Sequence, residues 1–141
     1  MSVVKLPQGL YSIEPIAYPV QVIDLKGASP LWNLRYVDGK EAVFTLQAAA
    51  PPSYIFVSKE HGVVGSPLQS SELRATATDI PNVYYILVYT PQGVDLAFLA
   101  RGPEGSQYLE DLFDYLKIIL EPLVAPNPAQ LWKFTRFKGI E

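Results

Sequence analysis

The sequence has no cysteine, and this single absence excludes disulfide bonds, thiol catalysis and cysteine metal sites. Charge is also scarce, since only 18% of the residues are charged whereas 49% are apolar. A disordered chain would have the opposite composition. The formal net charge is -3, and no block of Lys or Arg could neutralise a row of phosphates. We therefore expect a packed domain that has no nucleic-acid partner.

Long apolar runs are missing as well. None approaches the roughly 20 residues that a helix needs to cross a bilayer, so no membrane partner is expected. The N-terminal residues 1–7 lack the apolar stretch and cleavage site of a secretory signal. These features predict a cytoplasmic protein, or a secreted one if a signal has been processed away.

Catalytic groups are few. The one histidine, His61, lies in the polar turn Ser58–Gly62, where a solvated side chain is expected. The sequence contains no G-x-S-x-G nucleophile turn and no glycine loop of the phosphate-binding kind. We therefore predict that the chain is not an enzyme and has no catalytic residue, metal or cofactor.

What the chain does have is 13 prolines and 9 glycines scattered over 141 residues, a size that fits a single domain, 1–141. They separate short segments rich in Val, Ile, Tyr, Phe and Thr, as in a β-sandwich or barrel. The predicted strands are Leu10–Pro15, Val20–Lys26, Leu31–Val37, Glu41–Gln47, Tyr54–Lys59, Ser71–Thr78, Val83–Tyr89, Val94–Ala100, Leu116–Glu121 and Leu131–Phe137.

One segment has a helical pattern instead. Within Gly105–Leu116 the apolar residues recur at the spacing of one helical face, and Ser106 is a suitable N-cap. The pattern predicts a short helix. The sequence leaves open whether the residues up to Val124 continue it or form a strand.

A weak internal repeat indicates the fold. Three segments share a turn followed by an aromatic-centred strand, starting at Leu6, Val37 and Asp79, and each unit closes on a related piece: Pro30–Arg35, Glu72–Thr76 and Gln130–Arg136. Such units cannot bury their apolar faces alone. The repeat predicts an all-β protein, specifically a β-trefoil of three pseudo-repeats with the short helix inserted in the third unit.

A lectin is one alternative within this fold. Gln130-Leu131-Trp132 matches the Gln-x-Trp signature of ricin-B-type lectin repeats, although a tryptophan at that place is expected in the core. Sugar binding would also need an acidic side chain, for which Asp24 and Asp95 are the candidates. Glycans are the partners that this alternative predicts.

The third unit resembles the C-terminal part of the mycocypins, the fungal cysteine-protease inhibitors of the clitocypin and macrocypin type. The residues that carry the resemblance are Pro81–Ile86, Gly93–Leu96, Leu131–Arg136, the opening Gly9–Ile13 and the hairpin Leu31–Gly39. Mycocypins are cysteine-free β-trefoils, and the matches are mainly core positions, which indicate fold better than function.

The resemblance implies an inhibitor of papain-like cysteine proteases that blocks the active-site cleft with two neighbouring loops. The corresponding residues here are Pro15, Ile16, Ala17, Tyr18 and Pro19 in one segment and Gly27, Ala28, Ser29 and Pro30 in the other, both shorter than in the family. Related fungal trefoils inhibit trypsin through a basic loop residue, for which Arg101 is the candidate. A storage or defence protein without either activity is a further alternative.

Overall fold

The computed structural model describes residues 3–17, 31–48, 53–58, 62–89, 96–101, 117–123 and 127–137. They form eleven strands and one 3-10 turn, Pro128–Gln130. The strands are β1 (Val3–Val4), β2 (Gly9–Pro15), β3 (Leu31–Tyr36), β4 (Phe44–Ala48), β5 (Tyr54–Ser58), β6 (Gly62–Ser66), β7 (Leu73–Ala77), β8 (Val83–Val88), β9 (Leu96–Arg101), β10 (Lys117–Pro122) and β11 (Trp132–Phe137). The chain is thus all-β over these ranges, as predicted.

Six of the strands close into a barrel. Each of β2, β3, β4, β7, β8 and β11 pairs antiparallel with two of the others, and the pairing of β11 with β2 completes the ring. A closed barrel leaves no free edge among its own strands, which protects the backbone from pairing with other chains.

The remaining strands lie outside the ring. Strands β5 and β6 form one hairpin, which follows β4 and pairs with it, and β9 and β10 form another, which follows β8. Because neighbouring barrel strands alternate in direction, both hairpins leave the barrel at the same end. We call this the hairpin end, and the other, where short turns join β3 to β4 and β7 to β8, the turn end.

The barrel interior is filled by large side chains that alternate along each strand. In β2, for example, Tyr11, Ile13 and Pro15 are buried while Ser12 and Glu14 are partly exposed, the period expected of a strand with one face in a core. The fully buried residues include Trp32, Leu34, Phe44, Leu46, Leu73, Ile86 and Trp132, and the hairpins add Ile55 and Phe98.

Strand β8 is buried on both faces, which explains its almost continuous apolar sequence. Ile86 faces the barrel interior, whereas Val83, Tyr85 and Leu87 belong to a second cluster on the outer face, together with Ala97 and Leu131. We call this second group the outer cluster. Its packing joins the β9–β10 hairpin to the barrel wall.

The N-terminal segment covers the turn end. Strand β1 pairs with β7, and the next residues cross the barrel to β2, which lies on the opposite wall. Leu6 points into the core with 8% of its surface exposed. The hydroxyls of Tyr11 and Tyr36 donate hydrogen bonds to the Pro7 and Leu6 carbonyls at 2.6 and 2.7 Å. The segment therefore closes the turn end of the barrel.

The structure corrects the predicted strands in three places, one of which is the two-residue strand β1, which was not predicted. Strand β4 starts at Phe44 rather than Glu41, because Glu41 and Ala42 lie in a turn and Ala42 has a positive φ of 55°. Strand β6 was not predicted at all. The sequence left open whether the residues up to Val124 form a helix or a strand, and residues 117–122 form a strand. The predicted helix Gly105–Leu116 and the predicted strand Val20–Lys26 lie outside the described residues.

Candidate functional site

The first predicted inhibitory segment starts from a fixed base. Pro15 is the last residue of β2 and is buried. It lies opposite Trp132 of β11 in the register of the two strands. The backbone N–H of Ile16 donates to the carbonyl of Leu131 at 3.0 Å, and the Ile16 side chain packs against the outer cluster. Ala17 is the first exposed residue. Ile16 thus has an anchoring position, and the surface of the segment begins at Ala17.

The second predicted segment precedes β3. That strand begins at Leu31, which pairs with Ser12 of β2, so the two predicted segments connect to neighbouring strands at the hairpin end. The other residues of the two segments lie outside the described part of the chain: Tyr18, Pro19, Gly27, Ala28, Ser29 and Pro30.

The alternative sites are described only in part. Arg101, the candidate trypsin contact, is the last residue of β9, and its backbone pairs with that of Lys117 in β10. It therefore belongs to the end of a strand. Asp24 and Asp95, the sugar-binding candidates, and His61 lie outside the described residues.

Both tryptophans are core residues, as predicted. Trp32 and Trp132 have 0% of their surface exposed. Gln130 of the Gln-x-Trp signature is equally buried, and its Nε2 donates to the Pro122 carbonyl at 3.0 Å. The signature therefore ties the end of the β9–β10 hairpin to the start of β11, and neither indole can serve as a platform for a sugar.

A third loop at the hairpin end joins β6 to β7 and was not predicted as a site from the sequence. It runs through Pro67, Leu68, Gln69 and Ser70, all exposed. Leu68 is 91% exposed, although the strand after the loop begins with Leu73, which is 0% exposed. The loop thus holds an apolar side chain almost wholly in solvent.

The loop is hydrogen-bonded at both of its ends. The Ser66 hydroxyl oxygen accepts the N–H groups of Leu68 at 3.3 Å and Gln69 at 3.1 Å, and Pro67 between them has a fixed φ. On the other side, the Ser71 N–H donates to the Ile55 carbonyl at 3.0 Å.

A second bond holds the same end, because the Ser71 hydroxyl accepts the N–H of Val57 at 2.8 Å. Ser66 itself pairs with Tyr54. Both ends of the loop are therefore attached to β5, and we call Ser66–Ser71 the Leu68 loop.

A shallow groove lies at the turn end. It has a volume of about 410 Å³ and is lined by Lys5, Leu6, Pro7, Gln8 and Tyr36. The Lys5 ammonium lies 5.2 Å from the centre of the Tyr36 ring, and the Tyr36 hydroxyl is bonded to Leu6. The aromatic ring is thus engaged within the protein, which makes it a poor surface for stacking a ligand.

A cluster of charges lies beside the turn between β3 and β4. Lys40 forms an ion pair with Glu72, and the Lys40 and Arg74 cations lie 5.3 and 4.6 Å from the centre of the Tyr89 ring. Arg74 also donates to the Glu41 carbonyl. These contacts connect the turn to β7, and both cations are engaged by the Tyr89 ring within the protein.

Neither a metal site nor a membrane-spanning helix is found in the part of the chain that the structure describes. No protein-family model matches the chain, and no curated protein matches its sequence. Function must therefore be inferred from the resemblance in the sequence and from the geometry of the hairpin end.

Proposed function

We propose that this protein is a β-trefoil inhibitor of papain-like cysteine proteases, which blocks the active-site cleft with segments 15–19 and 27–30. The order of the strands supports the trefoil. The six barrel strands follow one another in the chain, and a hairpin is inserted between β4 and β7 and another between β8 and β11. A trefoil has a third hairpin between β2 and β3, a region outside the described residues.

The observation that carries the proposal is the anchoring of the first segment. Pro15 and Ile16 are held by Trp132 and Leu131, and the chain becomes exposed at Ala17. A loop that is rigid at its base loses little conformational entropy when it enters a cleft. The pairing of Ser12 with Leu31 brings the second segment to the neighbouring strand, so that the two can act as one wedge.

The lectin alternative has weaker support. It requires an exposed aromatic platform beside an acidic or amide group, and both tryptophans are in the core. A glycan array with the intact protein separates the two functions, since binding to a defined sugar without inhibition of papain would favour the lectin.

The test is a titration of papain with the purified protein and its variants. We expect stoichiometric inhibition by the wild type. Ala17→Arg places a charge and a long side chain at the first exposed position and should weaken inhibition about tenfold or more, as should Tyr18→Ala, whose large side chain is an interface anchor in this proposal. Asp38→Ala, at the turn end, is the matched control and should inhibit like the wild type.

Two results would contradict the proposal. One is full papain activity in the presence of micromolar protein. The other is inhibition that Ala17→Arg and Tyr18→Ala leave unchanged, which would place the contact elsewhere on the surface.

A further inference from the structure

We propose that the Leu68 loop is a second inhibitory site, directed at serine proteases that have an apolar primary specificity pocket. Such a site goes beyond the proposed inhibition of cysteine proteases and does not depend on it. In this proposal Leu68 enters the pocket in the manner of a substrate side chain, while the rest of the loop lies along the cleft.

The exposure of Leu68 is the first argument. Isolated apolar side chains are common on protein surfaces and do not by themselves indicate a binding site. Leu68, however, is 91% exposed, on a loop whose two ends are bonded to β5. The loop thus presents a leucine outward in a defined position.

Rigidity is the second argument. The bonds from the Leu68 and Gln69 N–H groups to Ser66 fix the backbone around the leucine, and Pro67 removes a further degree of freedom. An inhibitor that binds in the way a substrate does gains affinity when the bound shape already exists in the free protein. The bonded ends also resist the separation of the two halves of the loop.

The chemistry of the loop selects the class of protease. None of the residues 67–70 carries a charge, so the loop offers nothing to the acidic pocket of a trypsin-like enzyme. A leucine fits the hydrophobic slot of a chymotrypsin-like enzyme. The neighbours Gln69 and Ser70 are polar and uncharged.

The position of the loop makes this site separate from the proposed cysteine-protease site. It precedes β7, whereas segments 15–19 and 27–30 flank β2 and β3. In the barrel order β7 is separated from β3 by β4. Substitutions in one site therefore leave the other intact, and each can be tested on its own.

The experiment is a titration of chymotrypsin with the wild type, Leu68→Asp and Leu68→Arg, with trypsin assayed in parallel. We expect the wild type to inhibit chymotrypsin and not trypsin. Leu68→Asp should weaken chymotrypsin inhibition by about 30-fold or more, the size of effect seen when an interface anchor is lost. Leu68→Arg should also inhibit chymotrypsin more weakly, and it should gain inhibition of trypsin.

Controls separate this inference from the proposed function. Thermal unfolding should be the same for the wild type and both variants, because Leu68 makes little contact in the folded state. Ala17→Arg should still inhibit chymotrypsin, and Leu68→Asp should still inhibit papain if the proposed function is correct. If the protein inhibits chymotrypsin but not papain, the proposed function is wrong and the inference about the Leu68 loop still holds.

The inference is overturned if the wild type does not inhibit chymotrypsin at micromolar concentration. It is overturned equally if Leu68→Asp inhibits as well as the wild type, or if chymotrypsin cleaves the loop and is not slowed by it. The last result, read by mass spectrometry, would make the loop a substrate.

Discussion

The indole Nε1–H of Trp132 donates a hydrogen bond to the backbone carbonyl of Phe98 at 3.0 Å, and both side chains are fully buried. The bond joins a barrel strand, β11, to a hairpin strand, β9. The two rings belong to the same core, which also contains Ile13 and Phe134. The interior of the barrel and the β9–β10 hairpin are thus one packed unit.

Trp132→Phe should destabilise the fold by about 2 kcal/mol or more, because it leaves a void and removes the donor that the Phe98 carbonyl uses. Chemical denaturation measures the loss. Phe137→Leu on the same strand is the control, since Phe137 is 50% exposed and its replacement should change stability by less than about 0.5 kcal/mol. Equal effects of the two variants would contradict this account of the core.

Thr76→Val should stabilise the protein. Thr76 is 2% exposed, and its hydroxyl has no hydrogen-bond partner among the described residues. Valine has the same branched shape and removes a buried polar group, for a gain of about 1 kcal/mol. Thr78→Val is the control and should destabilise, because the Thr78 hydroxyl donates to the Val83 carbonyl at 2.7 Å. If Thr76→Val lowers the melting temperature, the hydroxyl is satisfied by water or by a group outside the described residues.

Alkaline pH should weaken the closure of the turn end. Burial raises the pKa of Tyr36 and of Tyr11 above the ordinary value of 10.0, since ionisation would place a charge in a partly desolvated site. Ionisation would also remove the hydroxyl protons that are donated to the Leu6 and Pro7 carbonyls. The folded state therefore holds these protons more tightly than the unfolded state. Their contribution is complete below about pH 10 and is lost as the pH rises through the raised values.

Melting temperatures measured across that range provide the check. The wild type should lose stability above about pH 10, and the double variant Tyr11→Phe with Tyr36→Phe should show a shallower loss, because it has no hydroxyl to ionise at these two places. Identical slopes for the two proteins would show that other groups control the alkaline transition.

Much of the fold was predictable from the sequence because the barrel strands carry their own pattern. Strand β2 alternates between buried and partly exposed residues, and β8 is apolar throughout, as required for a strand covered on both faces. Strand β6, Gly62–Ser66, could not be predicted in this way. It contains two glycines and no aromatic residue, and it is a strand because it pairs along its whole length with β5.

One candidate site was predicted from the sequence, and the other is visible only in the structure. The segment after β2 was found through its resemblance to a family, and its base at Ile16 depends on pairing that the sequence does not display. The Leu68 loop was missed because one leucine among Pro, Gln and Ser forms no periodic pattern. Its significance depends on 91% exposure and on bonds to a neighbouring strand, which only the folded chain provides.

Ser66→Ala should loosen the Leu68 loop without harming the fold. The Ser66 hydroxyl accepts hydrogen bonds from the backbone N–H groups of Leu68 and Gln69. In the alanine variant these N–H groups can bond to water instead, because both residues are exposed. We therefore expect a change in global stability of less than about 1 kcal/mol. We also expect faster cleavage of the loop by chymotrypsin, since a flexible loop adapts to a protease more readily than a rigid one.

Ser70→Ala, at an exposed position of the same loop, is the matched control and should be cleaved like the wild type. Cleavage rates followed by mass spectrometry, together with inhibition constants for chymotrypsin, distinguish rigidity from contact. If the loop acts through its fixed shape, Ser66→Ala weakens inhibition and accelerates cleavage together. If Ser66→Ala inhibits as the wild type does, the bonds to Ser66 do not contribute to binding, and the rigidity argument for the Leu68 loop is wrong.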